Sequence, residues 1–287
     1  MTKNLLLLFV AVVAVSWAAI FIKLTGAPPL ATAFYRMSFA TLFILPLALR
    51  KSLPELIKIK GKILIVSLFS GIFLGLHFAT WITSLDYTSI SNSVVLVTTQ
   101  PIFVAILSHL LLKEKINLTI LSAILLALLG SFIISGGDFR VGKANFFGDV
   151  LALIGAIMAA AYLMCGRVVR QKLSLFSYIF MVYFISALVL GILCIIWRTP
   201  LYPYPPRTFL WFILLGLIPT VIGHTLYNWA LKYIKAYLVG ITILGEPVGA
   251  TILAYLIFKQ IPPTLTYLGA VAIFTGIFLV FWNQKRA

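Results

Sequence analysis

Ten stretches of this chain are each long and apolar enough to cross a lipid bilayer, and this leaves it little else to fold into. Taking about 20 apolar residues per crossing, the spans fall at roughly 4–23, 30–49, 63–84, 89–112, 117–136, 148–167, 175–197, 208–230, 237–258 and 264–283. Nearly every one of the 287 residues lies in or beside a span. The chain is 62% hydrophobic and 10% charged, against about 45–50% and about 25% in soluble domains. A single soluble core could not bury that much apolar side chain, whereas a bilayer solvates it directly. The expected fold class is an all-α membrane protein with ten transmembrane helices.

The interruptions carry turn and charge signals that helix interiors avoid: GAPP at 26–29, RKSLPELIKIKGK at 50–62, SGGDFRVGKANFFGD at 135–149 and RTPLYPYPPR at 198–207. The opening apolar run extends from Leu5 to Ile22 and carries Trp17. It reads as a span rather than a cleaved leader. Cys165 and Cys194 both sit inside apolar stretches with no CxxC or histidine spacing around them. Neither a disulfide nor a metal site is expected, and no cofactor motif is present.

A net charge of +16 would suggest nucleic acid in a soluble protein. In a membrane protein, excess Lys and Arg mark the cytoplasmic loops instead, and no nucleic-acid partner is expected. Ten spans put fifteen basic residues on one side: Lys3, Arg50, Lys51, Lys58, Lys60, Lys62, Lys113, Lys115, Arg167, Arg170, Lys172, Lys232, Lys235, Lys285 and Arg286. Six fall on the other, Lys23, Arg140, Lys143, Arg198, Arg207 and Lys259, while Arg36 lies within a span. That asymmetry predicts both termini in the cytoplasm of a multi-pass cell-membrane protein, the inner membrane in a prokaryote.

The chain also repeats. LDYTSISNSVVLVTTQPIFVAILSHLLLK at 85–113 aligns with LKYIKAYLVGITILGEPVGATILAYLIFK at 231–259 at a constant offset of 146, matching Tyr87 to Tyr233, Pro101 to Pro247 and Lys113 to Lys259. The register continues to Gly130 and Gly276 and to Phe132 and Phe278. An offset of 146 divides the chain into halves of five spans, and five is odd, so the second half is expected upside down relative to the first. The domain reading is a first five-helix repeat at 1–136, an external linker at 137–147 and a second repeat at 148–287. Two inverted five-helix repeats are an architecture of secondary transporters, with the site near the midplane between them.

SWAAIFIK in the first span, FYRMSFA in the second, QPIFVAILSHLLLKEKI in the fourth and GEPVGATILAYLIFKQ in the ninth carry a family likeness. With the repeat and the count of ten, the sequence resembles the EamA-type exporters of the drug/metabolite transporter superfamily over almost its whole length. The resemblance implies a secondary transporter, an exporter of small metabolites such as amino acids; a carboxyl group at the depth of Glu246 adds a route to proton coupling, by releasing a proton as an amino-bearing substrate arrives. An importer or a facilitative, channel-like carrier of another small polar solute is the alternative. The family closes both repeats with an acidic residue after the fourth and ninth spans. Glu114 keeps this in the first repeat, and Gln260 departs from it in the second.

Two charges lie well within spans, Arg36 and Glu246. A charge at that depth costs about 2.5–3.5 kcal/mol on insertion scales unless it faces a cavity or a partner. Arg36 lies near the outer end of its span and can either snorkel or pair with Glu246. Glu246 is at mid-span and is expected to line a cavity. Pro101 and Pro247 each remove a backbone hydrogen bond halfway along a span, predicting breaks at matching depth. Thr220, His224 and Asn228 recur at four-residue spacing, as do His77 and Trp81, giving two polar stripes on helix faces. Gln100, Trp17 and Tyr227 complete the candidate set for substrate contact. The histidines could equally serve helix packing, and the aromatics an interface belt.

An intramembrane enzyme is disfavoured because HExxH, paired-aspartate and nucleophile-elbow motifs are missing from the sequence. No GxxxxGK[ST] loop is present to drive a primary pump. No filter-like repeat or ring of like charges suggests a channel. The expected partners are the lipid bilayer, a small-molecule substrate and protons.

Overall fold

The computed structural model describes residues 2–88, 90–114, 116–134, 143–259, 261–262 and 264–286, and among these the secondary structure is helical with no strand. Among the described residues, nine apolar helical passes are long enough to cross a membrane: Leu5–Thr25, Pro29–Lys51, Gly61–Ser84, Ser93–Leu112, Asn145–Val169, Leu175–Ile196, Pro206–Ala230, Ala236–Phe258 and Leu265–Trp282. A tenth, Leu118–Ile134, is apolar but shorter. It occupies the place of the expected fifth span, so the passes are numbered first to tenth with Leu118–Ile134 as the fifth.

Helix boundaries follow local chemistry. The first pass ends at Gly26, whose φ of 59° is the left-handed conformation that an L side chain adopts with strain. The second opens on Pro29, where the missing N–H is no loss. The seventh is N-capped by Ser174, whose hydroxyl accepts from the Ser177 amide. The helix carrying the sixth pass begins at Lys143, so residues 143–147, expected as part of a linker, are helical. Residues 137–142 of that linker and Gln260 lie outside the described residues.

The two prolines act differently from a mid-helix kink. The fourth pass is two helices, Ile90–Val97 and Gln100–Leu112, and the ninth is Ala236–Ile243 and Glu246–Phe258. Each break is a tight turn closed by i→i+3 bonds: Thr99 to Leu96 in one, Leu244 to Ile241 and Gly245 to Thr242 in the other. Pro101 and Pro247 therefore sit in the first turn of a new helix, where a proline satisfies rather than violates the hydrogen-bond pattern. Both second helices end on a lysine in the left-handed conformation, Lys113 at φ 54° and Lys259 at φ 56°. Break, proline and cap all repeat at the same offset.

Helix pairing carries the repeat into three dimensions. The third pass packs on the sixth and the eighth on the first; the fourth packs on the sixth and the ninth on the first. The third packs on the seventh and the eighth on the second. Second with seventh, fourth with ninth and fifth with tenth pack as well, each pair mapping onto itself. Exchanging each pass for the one five places later maps these pairs onto one another, as two copies of a five-helix unit about a twofold would. The fifth and tenth passes cross at glycines: a Cβ on Gly130 would stand 2.5 Å from the Gly269 carbonyl oxygen, and one on Gly276 2.5 Å from that of Ala123.

Candidate functional site

Both broken passes bring their breaks to one cavity. Val97, Thr98 and Gln100 line it from the fourth pass, Ile243 and Glu246 from the ninth. Arg36, His77, Trp81, Tyr162, His224 and Tyr227 reach it from the second, third, sixth and eighth passes. Small residues of the first and sixth, Ala18 and Ala159, leave the space that these side chains enter. Its volume is about 40 Å³. That is room for a water or two, and far below the roughly 300–1,000 Å³ of small-molecule sites.

Glu246 is the first residue of its half-helix, where the unpaired N–H groups favour an anion. Its carboxylate has no hydrogen-bond partner among the described residues, and its backbone oxygen accepts from Ser16 at 3.4 Å. Arg36 is 1% exposed, so it does not snorkel. Nor does it form an ion pair with Glu246. Its Nε donates to Thr220 Oγ1 at 2.8 Å, and the guanidinium lies 3.9 Å from the Phe78 ring centre. The sequence left a direct pair open; the geometry holds Arg36 by a hydroxyl and a ring and leaves both charges facing the same space.

Of the two stripes, His77, Trp81 and His224 line the cavity, while Thr220 and Asn228 do not. His77 Nδ1 is 2.9 Å from the Gly155 carbonyl, and its ring stacks on Trp81 at 5.7 Å. His224 sits edge-on to Phe78 at 5.4 Å. Gln100 is buried at the matching break. Two expected residues lie elsewhere: Trp17 stacks on Phe21 at 5.2 Å, away from the cavity lining, and Asn228 stands one layer behind it. Asn228 Nδ2 donates to the Tyr162 hydroxyl at 2.5 Å and to the His224 carbonyl at 2.8 Å.

Tyr162 was not singled out by the sequence, yet it joins Asn228 to the cavity. The signal available was a phenol placed directly after three alanines inside an apolar span, Ala159–Ala161, where a large polar side chain enters space that small neighbours leave. The eighth pass hides another feature. Gly216–His224 winds as a π-helix around Pro219, a segment that a 3.6-residue period does not foresee.

Nine buried side-chain nitrogen or oxygen atoms have no hydrogen-bond partner among the described residues. Four belong to the cavity lining: Arg36 Nη1, Trp81 Nε1, His224 Nδ1 and the Tyr227 hydroxyl. A fifth, Asn228 Oδ1, lies beside Tyr162. Each such atom costs about 1–3 kcal/mol if left dry, so their convergence calls for a polar occupant.

The sequence profile of the EamA-like transporter family matches residues 2–136 and again residues 146–282. An uncharacterized transporter of Archaeoglobus fulgidus is 24% identical over 271 residues, covering 93% of this chain and 91% of that one. The uncharacterized transporter YetK of Bacillus subtilis is 26% identical over 267 residues, covering 88% of this chain and 77% of that one. A solved crystal structure of 17% identity superposes at a TM-score of 0.84 over 100% of this chain and 99% of the other, a likeness of fold alone.

Proposed function

The chain belongs to the EamA-like transporter family, and from that premise we propose that it is a secondary active transporter exporting small metabolites of the amino-acid kind across the cell membrane in exchange for protons. The observation that carries this reading is the set of unpartnered polar atoms around one cavity between the two repeats. Donors on Arg36, Trp81 and Tyr227 suit a carboxylate. Glu246 suits an ammonium group, and a carboxyl group that loses its proton as the ammonium arrives gives a route to exchange.

Five passes per half make the halves inverted, and the breaks at Thr98–Thr99 and Leu244–Gly245 are the hinges on which they rock. In the conformation described, the cavity is too small for such a substrate, so transport requires it to widen on one side at a time. The basic-residue asymmetry puts both termini in the cytoplasm. Tyr202 and Ile57 are comparably exposed, 78% and 76%. A cysteine at Tyr202 should label with an impermeant reagent in intact cells and one at Ile57 should not; the reverse pattern overturns the orientation.

Purified protein is to be screened by thermal shift against amino acids, nucleosides, sugars and polyamines, since a ligand of the folded state raises its melting temperature by mass action. The stabilising class is then followed in proteoliposomes. Saturable flux with counterflow, driven by a pH gradient, is the expected result. Stabilisation by sugars or nucleosides alone overturns the substrate class. Flux that neither saturates nor shows counterflow overturns the carrier.

A further inference from the structure

A second cavity opens at the far ends of the helices that line the first. Ala18 and Trp81 face the central cavity; one turn further along the same two passes, Ile22 and Leu85 face the other. The step from Ala18 to Ile22 is four residues, about 6 Å along a helix. The second cavity measures about 340 Å³, within the roughly 300–1,000 Å³ of small-molecule sites. Of the two, this one has room for a metabolite.

Its charges are one of each sign. Lys23 comes from the last turn of the first pass, and Asp86 from the turn that follows the third. They do not pair with each other. The Lys23 ammonium lies 4.9 Å from the Phe258 ring centre, and the Asp86 side chain makes no hydrogen bond among the described residues. Partial burial pushes the Asp86 carboxyl above its usual range, the sign of a carboxylate without a cation beside it. Two opposite charges that share a cavity without meeting leave a gap between them for a molecule with opposite charges of its own.

We propose that this vestibule is a second solute site, holding a zwitterion with its ammonium group at Asp86 and its carboxylate at Lys23. The inference rests on the amino-acid reading of the central cavity and deepens it: the solute leaving the Arg36 and Glu246 site meets a second carboxylate and a second cation before it reaches water. A solute handed between two sites of like chemistry keeps its charges compensated along the path, where an apolar mouth would hold it back. In the orientation proposed above, the vestibule faces outward.

The test places a single cysteine at Ala27, on the vestibule wall, in a background with Cys165 and Cys194 replaced by alanine. Its rate of alkylation in purified protein is measured against L-alanine, alaninamide and N-acetylalanine. L-alanine is expected to slow labelling, and the two single-charge analogues to do so at concentrations at least ~10-fold higher, since each lacks one charge-assisted hydrogen bond. Protection should be lost in Asp86→Asn and in Lys23→Gln and kept in Glu246→Gln. Protection that survives both vestibule substitutions, or that vanishes in Glu246→Gln, overturns the second site and leaves the central one standing. No protection in a protein that transports L-alanine does the same. Protection kept in Glu246→Gln together with wild-type transport by that variant upholds the vestibule and overturns the central reading instead.

Discussion

Gln100 and Glu246 occupy the same place in the two halves of the molecule. Each is the first residue of a half-helix, each precedes a proline, and both line one cavity. The repeat thus supplies two matching N-termini aimed at one space, and a single atom type distinguishes them: an amide in the first half, a carboxylate in the second. The fold itself shows that a neutral side chain of this shape is accommodated at such a break.

Glu246→Gln therefore makes the second break like the first. The variant is expected to fold, with a melting temperature close to that of the wild type, and to bind an ammonium-bearing substrate about 10–100-fold more weakly, the worth of one charge-assisted hydrogen bond. The pH dependence of transport should flatten. Melting temperature and pH-dependent uptake into vesicles check this together; wild-type transport from pH 5.5 to 8 would make the carboxylate a packing feature.

Arg36 is anchored independently of Glu246, by Thr220 Oγ1 and the Phe78 ring. Removing Glu246 does not strand it, so Arg36→Gln added to Glu246→Gln should lower the melting temperature further. Thr220→Val should by itself cost about 1–3 kcal/mol, because it leaves a buried guanidinium N–H without an acceptor. A double variant more stable than Glu246→Gln alone would restore the ion-pair account.

Much of this was legible in the sequence because the bilayer imposes length and apolarity on every pass, and because a repeat shows itself wherever residues other than leucine match. Pro101 and Pro247 gave the depth of both breaks. They did not give their form, since a proline in an apolar run reads alike whether it kinks one helix or starts another. Side-chain partners were the least legible. Arg36 has one countercharge at depth in the sequence, Glu246, and the hydroxyl that holds it instead comes from a π-helical stretch whose facing follows no regular period. Trp17 and Asn228 showed the right chemistry on the right helices. Whether such a side chain touches the cavity or stands a layer behind depends on packing that spacing does not encode.

The crossing of the fifth and tenth passes depends on absent side chains. A Cβ on Gly130 would meet the Gly269 carbonyl oxygen at 2.5 Å, a backbone atom with no rotamer to escape into. Gly130→Ala should therefore cost about 1–3 kcal/mol as overpacking. Gly191→Ala serves as the control, since its Cβ would stand 3.2 Å from the edge of the Phe34 ring, which can turn aside. Equal melting temperatures for the two variants would show that the fifth and tenth passes give way as easily as a side chain does.

The Glu55 carboxylate reaches across from the loop after the second pass to cap the start of the seventh. It accepts from the Ser174 amide at 3.0 Å and from the hydroxyls of Ser174 and Ser177. Partial burial pushes its pKa up, but those hydrogen bonds and the Arg170 charge outweigh it and hold the carboxyl below its ordinary value of 4.5. A carboxyl with a lower pKa folded than unfolded binds protons more readily when unfolded. Its contribution is present above about pH 4.5 and fades as the pH falls through the folded value. Glu55→Gln should lower stability near neutrality by about 1 kcal/mol or less, as for a lost helix cap at a solvent-screened site, and the gap to the wild type should narrow as the pH falls below about 4.5. Thermal midpoints in detergent between pH 3 and 7 check the sign: a variant gap that widens toward acid would mean that the carboxylate burdens the fold rather than fastening the seventh helix to the second loop.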